Sequence, residues 1–403
     1  NRKQRRAQDK TSGADTGGEP PPGKTAEMRD PLELHALGIE AFRAGRLDMA
    51  AGLIAQAIVT DGGIPAFHYN LAIVYKAQGR LQDAAASYQR AIALKPDYAD
   101  AHNNLGNIWK ALGARDKARD SFQRALQLRP GNADTHYSLG LLCSETGDRE
   151  EAARHLQECL KADPEDSRGA GILLAHLGLA DVPERTSPAQ LQKIYDVRAQ
   201  FWDRERSYFG HRLVAEGLRE HATRKDLDIL DIGCGTGLAG AEIRGLARRM
   251  DGVDLSPAML EKARSKSVYD RLEQADLVSF MAARQDGYDA VLGAATLIHF
   301  GNLQPLFQAA GLCLRQDGLF VFTLFAGQDG GADFSVAAQD KLAESGCFQH
   351  SKAYVARLAG ENGFSVPALQ DVLHEYDQDG NPVAGLLVVL RRQMRRRADG
   401  DMS

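Results

Sequence analysis

No stretch of this chain reaches the roughly 18 uninterrupted apolar residues that a membrane-spanning helix needs, so a role across a bilayer is not expected. The first thirty residues lack the apolar core of a secretory signal; they run to Gly, Pro, Thr and Asp and are expected to stay unstructured. Cysteine is scarce: Cys143, Cys159, Cys234, Cys313 and Cys347 are odd in number, far apart and without a C-x-x-C pair. That argues against a disulfide framework or a thiolate metal site, and a reducing cytoplasm is the expected setting. Positive charge is not in excess either. With a net charge of −5 no global field draws the chain to nucleic acid, and the short basic runs NRKQRR at 1–6 and RRQMRRR at 391–397 are expected to be solvated tails.

What is present is ordinary in bulk and ordered in detail. The 403 residues, 43% apolar and 26% charged, suffice for two domains with a core each. Gly45, Gly79, Gly113 and Gly147 stand 34 residues apart, as do Gly38, Ala72, Gly106 and Gly140. Ala50, Ala84, Ala118 and Ala152 keep the same period, followed by Ala57, Ala91, Ala125 and Cys159, and by Gly62, Pro96, Pro130 and Pro164. So many registers agreeing over four copies mark a repeat. In one copy, Leu105, Ile108, Trp109 and Leu112 form the apolar face of a first helix and Gly113 allows a turn. Phe122, Ala125, Leu126 and Leu128 line a second helix, which Pro130 stops. Each helix pair leaves an apolar face open, so the copies must stack.

These residues resemble a tetratricopeptide repeat array, with copies at 31–64, 65–98, 99–132 and 133–166 and a capping helix at 171–180. The resemblance implies an all-α solenoid that binds a protein or peptide partner along its concave face. Asn70 and Asn104, 34 apart on the first helix of their copies, with Asn103 and Asn107 beside them, are candidate peptide-binding amides. The ladder is short, since the fourth copy carries Ser138 in register. His68, His102 and His136 also recur at 34, but on successive repeats they do not converge on one ion, so packing is expected of them and no metal site.

From Ser187 onward short apolar runs alternate with helical segments, which means a parallel sheet covered on both faces. A strand at DLDILDIG, a helix over GLAGAEIRGLARR, a strand at MDGVDLS and a helix at PAMLEKARSKS open the series. ALQDVLHEYD and VAGLLVVLRR, flanking Asp379-Gly380-Asn381, close it as an antiparallel hairpin. The stretch DIGCGTGLAG at 231–240 admits two registers. From Gly235 it is G-x-G-x-x-G, the spacing that cradles a dinucleotide pyrophosphate; from Asp231 it is D-x-G-x-G-x-G. Asp254 at the next strand end suits ribose hydroxyls under either register. Asp231 and Asp276, the latter at the expected end of a third strand, discriminate, Asp231 because a carboxylate inside the loop repels a pyrophosphate and suits a cationic amino group. On that register Gly240 falls in its place by coincidence.

Asp231, Gly233, Gly235 and Gly237, with GVDLSPAML and QADL downstream, resemble the class I methyltransferases that use S-adenosylmethionine. The resemblance implies an α/β Rossmann-like domain, with a mostly parallel seven-stranded sheet and the antiparallel C-terminal hairpin. It implies that the Gly233–Gly237 turn, with Cys234 as small filler, receives the methionine part of the cofactor. Asp231 would orient the ammonium, Asp254 would take the ribose hydroxyls, and Asp276 the adenine amino group. Leu255 and Leu277 would pack on the ring, with Ser256 and Met259 in the same motif. In IYDVRAQFWDRERSYFGHRL, Tyr195 and Asp196 fit the place of a helix that folds over the cofactor, so Tyr195, Phe201, Trp202 and Tyr208 are expected to form a lid. Tyr195 and His299, which follows the fourth strand, are the catalytic candidates, His299 as acid, base or acceptor ligand. Tyr208, His350 and Tyr354 are further acceptor-side candidates. No Asn-Pro-Pro-Tyr-like clamp follows that strand, which disfavours base or glutamine-amide methylation.

The expected plan is a tail at 1–30, repeats at 31–166, a cap and linker at 167–187, the methyltransferase domain at 188–391 and a basic tail at 392–403. The expected activity is methyl transfer from S-adenosylmethionine to a small-molecule or protein acceptor. A non-catalytic scaffold of degenerate fold and an NAD-dependent oxidoreductase are the alternatives.

Overall fold

The structure is a computed structural model and describes residues 30–204, 207–328, 330–377 and 379–393. The expected tails therefore lie almost wholly outside the described residues. The chain divides into two compact units, residues 1–121 and 122–403, and the division falls inside a helix of the third repeat rather than after the fourth.

Unit one holds helices α1 (Pro31–Arg43), α2 (Leu47–Thr60), α3 (Pro65–Ala77), α4 (Leu81–Leu94), α5 (Ala99–Ala111) and the start of α6 (Arg115–Leu128). Asp30 starts α1 by accepting a hydrogen bond from the Leu32 amide, and Pro31 occupies the first turn, where a missing N–H costs nothing. The four recurrent turn glycines, Gly147 of the next unit included, have φ between +72° and +81°, which is why the period demands glycine there. Gly38 is small for a different reason, since a Cβ on it would meet Ile54 at 2.5 Å. Leu34, Ile54 and Phe67 then pack into one core, and Ala72, Tyr88, Leu105 and Ile108 into the next.

Unit two begins with the rest of α6 and continues through α7 (Ala133–Glu145), α8 (Arg149–Ala162) and α9 (Ala170–His176). The expected cap is α9, and it has two apolar faces. Leu173 and Leu174 pack on Leu156 and Cys159 of α8, while Ile172 and Ala175 pack on Val336, Ala343 and Phe348 farther along the chain. Helices α10 (Pro188–Arg198) and α11 (Gly210–His221), separated by a short 3-10 turn at Trp202–Arg204, precede the sheet.

The sheet segment runs β1 (Leu227–Ile232), α12 (Leu238–Ile243), β2 (Ala247–Asp254), α13 (Pro257–Lys266), β3 (Arg271–Gln274), α14 (Leu277–Ala282), β4 (Tyr288–Gly293), α15 (Gln304–Cys313) and β5 (Leu314–Ala326). Then follow β6 (Phe334–Val336), α16 (Asp340–Glu344), β7 (Phe348–His350), α17 (Lys352–Glu361), β8 (Phe364–Tyr376) and β9 (Pro382–Arg392). Strands β3-β2-β1-β4-β5 are parallel neighbours, β9 runs antiparallel to β5, and β8 antiparallel to β9. These are the expected seven strands with their terminal hairpin. Two three-residue strands, β6 and β7, extend the sheet at the carboxyl end of β5.

Strand β1 is buried along its whole length, as a strand covered on both faces must be. Ile229 contributes to the core under α11 and α12; Leu230 and Ile232 contribute to the core under α14, α15 and α17. The expected helix over 237–249 is shorter than its periodicity suggested. It stops at Ile243, and Ala247–Arg249 join β2, where Arg248 holds the buried Asp228 carboxylate with Nε at 3.0 Å. Because β1 is flanked by β2 on one side and β4 on the other, the strand order reverses beside it, and the loops after these three strands open a crevice.

Candidate functional site

A cavity of about 860 Å³, its open mouth included, occupies this crevice. Its lining includes Asp231, Gly233, Cys234, Gly235, Asp254, Leu255, Ser256, Met259, Asp276 and Leu277, so ten of the eleven cofactor candidates meet there. Gly237 stands one step back, at φ +88° as the residue before α12. Gly233, Gly235 and Gly237 all have positive φ. Gly233 is also hemmed in, since a Cβ on it would lie 2.3 Å from Thr296 Oγ1, whereas one on Gly235 would meet nothing within 4 Å. The first glycine packs its loop against Thr296 in the loop after β4; the second has nothing within 4 Å of a Cβ and leaves room for a ligand.

The carboxylates differ in how fully they are engaged. Asp254 Oδ2 accepts from the Gly235 amide and Oδ1 from the Ser256 amide, both at 2.8 Å. Burial pushes its pKa up to about 6 against those bonds. Asp276 caps α14 through the Ser279 amide and pairs with Arg185 at 2.8 Å. Burial works against ionisation, but Arg185 and Ser279 outweigh it and hold this carboxyl below its usual range. Asp231 is 1% exposed and receives the Tyr269 hydroxyl on Oδ2 at 2.6 Å, while its Oδ1 has no partner among the described residues. Burial, with Asp254 adding and the Tyr269 hydroxyl opposing, pushes its pKa up to about 7. A buried carboxylate oxygen left open beside a glycine loop fits a cationic ammonium.

Tyr269 was not legible as a site residue, yet it explains Gly240. A Cβ on Gly240 would lie 2.5 Å from the Tyr269 hydroxyl, so the third glycine is no coincidence: it admits the ring that reaches Asp231. The coincidence expected at Gly240 is corrected accordingly.

Tyr195, Trp202 and Tyr208 line the same cavity, with His211 and His299. The rings are edge-on or tilted to one another, Tyr195 to Trp202 at 5.7 Å and Trp202 to Tyr208 at 5.5 Å between centroids. Phe201, expected in the same group, is 61% exposed and outside the lining. Polar bonds pin this segment over the loop. Thr236 and Lys266 both donate to Asp203, and Ser256 donates to Asp196 at 2.5 Å.

His299 is buried and carries two bonds. Its Nδ1 lies 2.9 Å from the Gly346 carbonyl, which fixes the proton there, and its Nε2 accepts the Tyr195 hydroxyl at 2.7 Å. Burial holds its pKa down, to about 4, against the Gly346 bond. With both nitrogens committed it orients Tyr195 and has no site left for an acceptor's proton; the acid-base expectation for His299 is corrected on that ground.

His350 and Tyr354 do not line the cavity. His350 Nε2 holds the Phe300 carbonyl at 2.8 Å, and the Tyr354 hydroxyl accepts the Leu303 amide at 2.9 Å. Both brace the loop after β4 from behind. That is where an acceptor-side role was expected of them, and their direction in the fold is the correction.

In the repeats, Asn70 bonds His35 at 2.8 Å and Asn104 donates to Tyr69 at 2.9 Å, each reaching back 35 residues to the preceding copy. Asn103 Oδ1 is buried without a partner. His68, His102 and His136 each place Nε2 on the carbonyl six residues earlier, Gly62, Pro96 and Pro130. Among the described residues no group of His, Cys, Asp and Glu could hold a metal ion.

Residues 229–318 match the methyltransferase domain family, and residues 74–113 and 97–165 match tetratricopeptide repeat families. A probable S-adenosylmethionine-dependent methyltransferase of Saccharomyces cerevisiae is 36% identical over 120 residues, 28% of this chain and 40% of that protein. A ubiquinone biosynthesis O-methyltransferase of Nitrosococcus oceani is 26% identical over 144 residues, 34% of this chain and 61% of that protein. The match thus spans about 40% and 61% of the length of these two relatives. A solved Burkholderia thailandensis 1,6-didemethyltoxoflavin-N1-methyltransferase, bound to 1,6-didemethyltoxoflavin and S-adenosylhomocysteine, aligns with TM-score 0.42 and 18% identity over 53% of this chain and 94% of that one.

Proposed function

The chain joins tetratricopeptide repeats to a methyltransferase domain, and from that premise we propose that it transfers a methyl group from S-adenosylmethionine to a small-molecule or protein acceptor. The observation that carries this reading is Asp231, a buried carboxylate in the glycine loop with one oxygen open. The same carboxylate opposes a pyrophosphate, which disfavours the NAD-dependent reading. The residues expected of the cofactor site are intact, which disfavours a degenerate scaffold.

S-adenosylmethionine supplies a methyl group already activated by a sulfonium. In this reading Asp231 takes the ammonium, Asp254 turns its remaining acceptor capacity to ribose hydroxyls, and Asp276 with Leu255 and Leu277 forms the adenine wall. Trp202 and Tyr208 keep water from the reacting end, and Tyr195, fixed by His299, shapes the acceptor's approach. Rate then comes mainly from proximity and alignment. The repeats at 31–166 recruit a protein or peptide partner, for which the match to tetratricopeptide repeat families is the support. A reducing cytoplasm is the proposed setting, in keeping with five free, buried thiols.

Isothermal titration of the whole chain with S-adenosylmethionine, beside an Asp254→Ala variant, tests the reading. Losing two hydrogen bonds to a charged group costs about 3 kcal/mol, or roughly a hundredfold in affinity. Absence of binding by the unaltered protein would sink the proposal.

A further inference from the structure

Between the cap helix α9 and α10 the chain makes a short strap that no sequence motif marks. At one end the last repeat holds it: Leu177 and Leu179 pack on the core that α8 shares with α9, and the Leu177 carbonyl accepts from Arg149 at the start of α8. At the other end it is stitched to the loop after β4. The Glu184 carbonyl accepts the Gly301 and Asn302 amides, both at 2.8 Å, and the Thr186 amide donates to the His299 carbonyl at 2.9 Å. Arg185 and Phe300 face each other across this added antiparallel bridge. Residues 180–183 alone join the two anchors, and a connection that short limits how far either moves without the other.

From this strap the Arg185 side chain lines the cavity. Its guanidinium lies over the Phe300 ring at 4.8 Å and donates through Nη2 to Asp276 Oδ2 at 2.8 Å. Its Nε is buried and has no partner among the described residues. A buried N–H without an acceptor is costly, so this donor calls for a ligand. Asp276 complements it. Oδ1 takes the Ser279 amide and hydroxyl, both at 3.2 Å, while Oδ2 takes only Arg185 among the described residues and keeps a second acceptor position. The pair thus presents one open donor and one open acceptor in a cavity that Leu255 and Leu277 also line. Adenine fits that pattern, because its amino donor stands next to ring-nitrogen acceptors. Hypoxanthine does not, since a carbonyl oxygen replaces the amino group and would face the Asp276 carboxylate.

We propose that Arg185 and Asp276 read the adenine edge of the cofactor as a pair, Nε donating to a ring nitrogen and Oδ2 accepting from the amino group, and that the strap thereby couples cofactor binding to the seating of α9. The proposal rests on the methyl-transfer reading above and extends it to regulation. Helix α9 sits on Val336, Ala343 and Phe348, and Arg185 is carried by the segment that leaves it. Bound cofactor therefore holds the cap in its seat, and by reciprocity a protein partner that draws the cap away lowers cofactor affinity.

The test titrates the full chain by calorimetry with S-adenosylhomocysteine and with S-inosylhomocysteine, in which hypoxanthine replaces adenine. The unaltered protein is expected to prefer the adenine compound by about thirtyfold, as for loss of a hydrogen bond to a charged group. In Arg185→Met, affinity for S-adenosylhomocysteine falls about tenfold and the preference shrinks to about threefold. Arg185→Lys keeps a positive charge beside Asp276 but no planar donor, and its preference shrinks as well. A second readout follows the strap itself. In the unaltered protein saturating S-adenosylhomocysteine slows hydrogen exchange of the Thr186, Gly301 and Asn302 amides about fivefold, and in Arg185→Met the slowing falls below about twofold. Equal loss of affinity for both compounds, with the preference intact, makes Arg185 merely structural and overturns the assignment. A rise in S-adenosylhomocysteine affinity in Arg185→Met also overturns it, since the arginine then blocks the cavity. Exchange that does not respond to the ligand in the unaltered protein overturns the coupling. Failure of the unaltered protein to bind either compound strikes the methyl-transfer reading instead.

Discussion

Polar side chains behave differently in the repeats and in the cavity. In the repeats a polar residue that recurs closes its bond nearby: His68 on the Gly62 carbonyl, His102 on that of Pro96, Asn104 on the Tyr69 hydroxyl. In the cavity no residue recurs, and three polar atoms, Arg185 Nε, His211 Nδ1 and Asp231 Oδ1, have no partner among the described residues. Recurrence marks what every copy needs for its own turn or its neighbour; a singular, unsatisfied group marks where something else must bind. Gln78 Oε1, Asn103 Oδ1 and Thr135 Oγ1, without partners among the described residues although they sit in the repeats, are the exceptions.

Four measurements press on this contrast. The largest effect is expected at the loop glycines. Gly233→Ala puts a methyl group 2.3 Å from Thr296 Oγ1 at φ +63°. Overpacking and left-handed backbone together should cost about 3 kcal/mol of stability by urea denaturation. Gly235→Ala, with nothing within 4 Å, should cost only about 1 kcal/mol in stability. It should still weaken S-adenosylhomocysteine binding at least tenfold, because the space it fills belongs to the ligand. If both variants lose stability alike, the division of labour within the loop is wrong.

Next in size is pH. In the free protein burial lifts Asp231 to about 7 and Asp254 to about 6. Such groups favour the folded state below their ordinary carboxyl range and lose that contribution as pH rises through the lifted values. A cationic ligand reverses the preference, since it needs Asp231 ionised. Affinity should therefore fall about tenfold between pH 8 and pH 6, with proton uptake by buffer visible in calorimetry at pH 6 and nearly absent at pH 8. A flat profile would mean that Asp231 does not meet a cation.

Tyr269→Phe removes the one side-chain bond to Asp231 and should lower ligand affinity by several-fold, up to about tenfold, while adding to the upward push on that carboxyl. The smallest effect belongs to the repeats. His68→Leu should cost about 1 kcal/mol in the denaturation of the first unit and leave ligand affinity unchanged. A change in ligand affinity there would break the comparison outright.

The parts legible in sequence were those written locally. The 34-residue period is a property of neighbours, the glycine turn and Asp254 stand at the ends of β1 and β2, and Asp276 stands just past β3 at the start of α14. What escaped was made by distant partners. Tyr269 meets Asp231 across 38 positions, Arg185 meets Asp276 across 91, and His299 meets the Gly346 carbonyl across 47. His350 and Tyr354 were placed near the right loop but on its wrong side, because a short segment does not declare which face it turns toward a cavity. Strands β6 and β7, three residues each, are too short to display an alternation. Gly240 carried a usable signal: a third glycine inside a helix asks what ring lies over it.

The Gly346 carbonyl accepts two donors, His299 Nδ1 and the Thr186 hydroxyl, and it lies just past α16, against which α9 is packed. The last repeat's cap is thus masonry of the same wall that holds Tyr195. For anyone wishing to exchange the repeats of this chain, the joint is therefore not where the repeats end. A foreign array spliced in upstream of α6 leaves that wall whole, in keeping with the seam at 121/122. A splice after the fourth copy parts α8 from α9 and strips Leu173 and Leu174 of their packing on Leu156 and Cys159, baring the outer face of that wall.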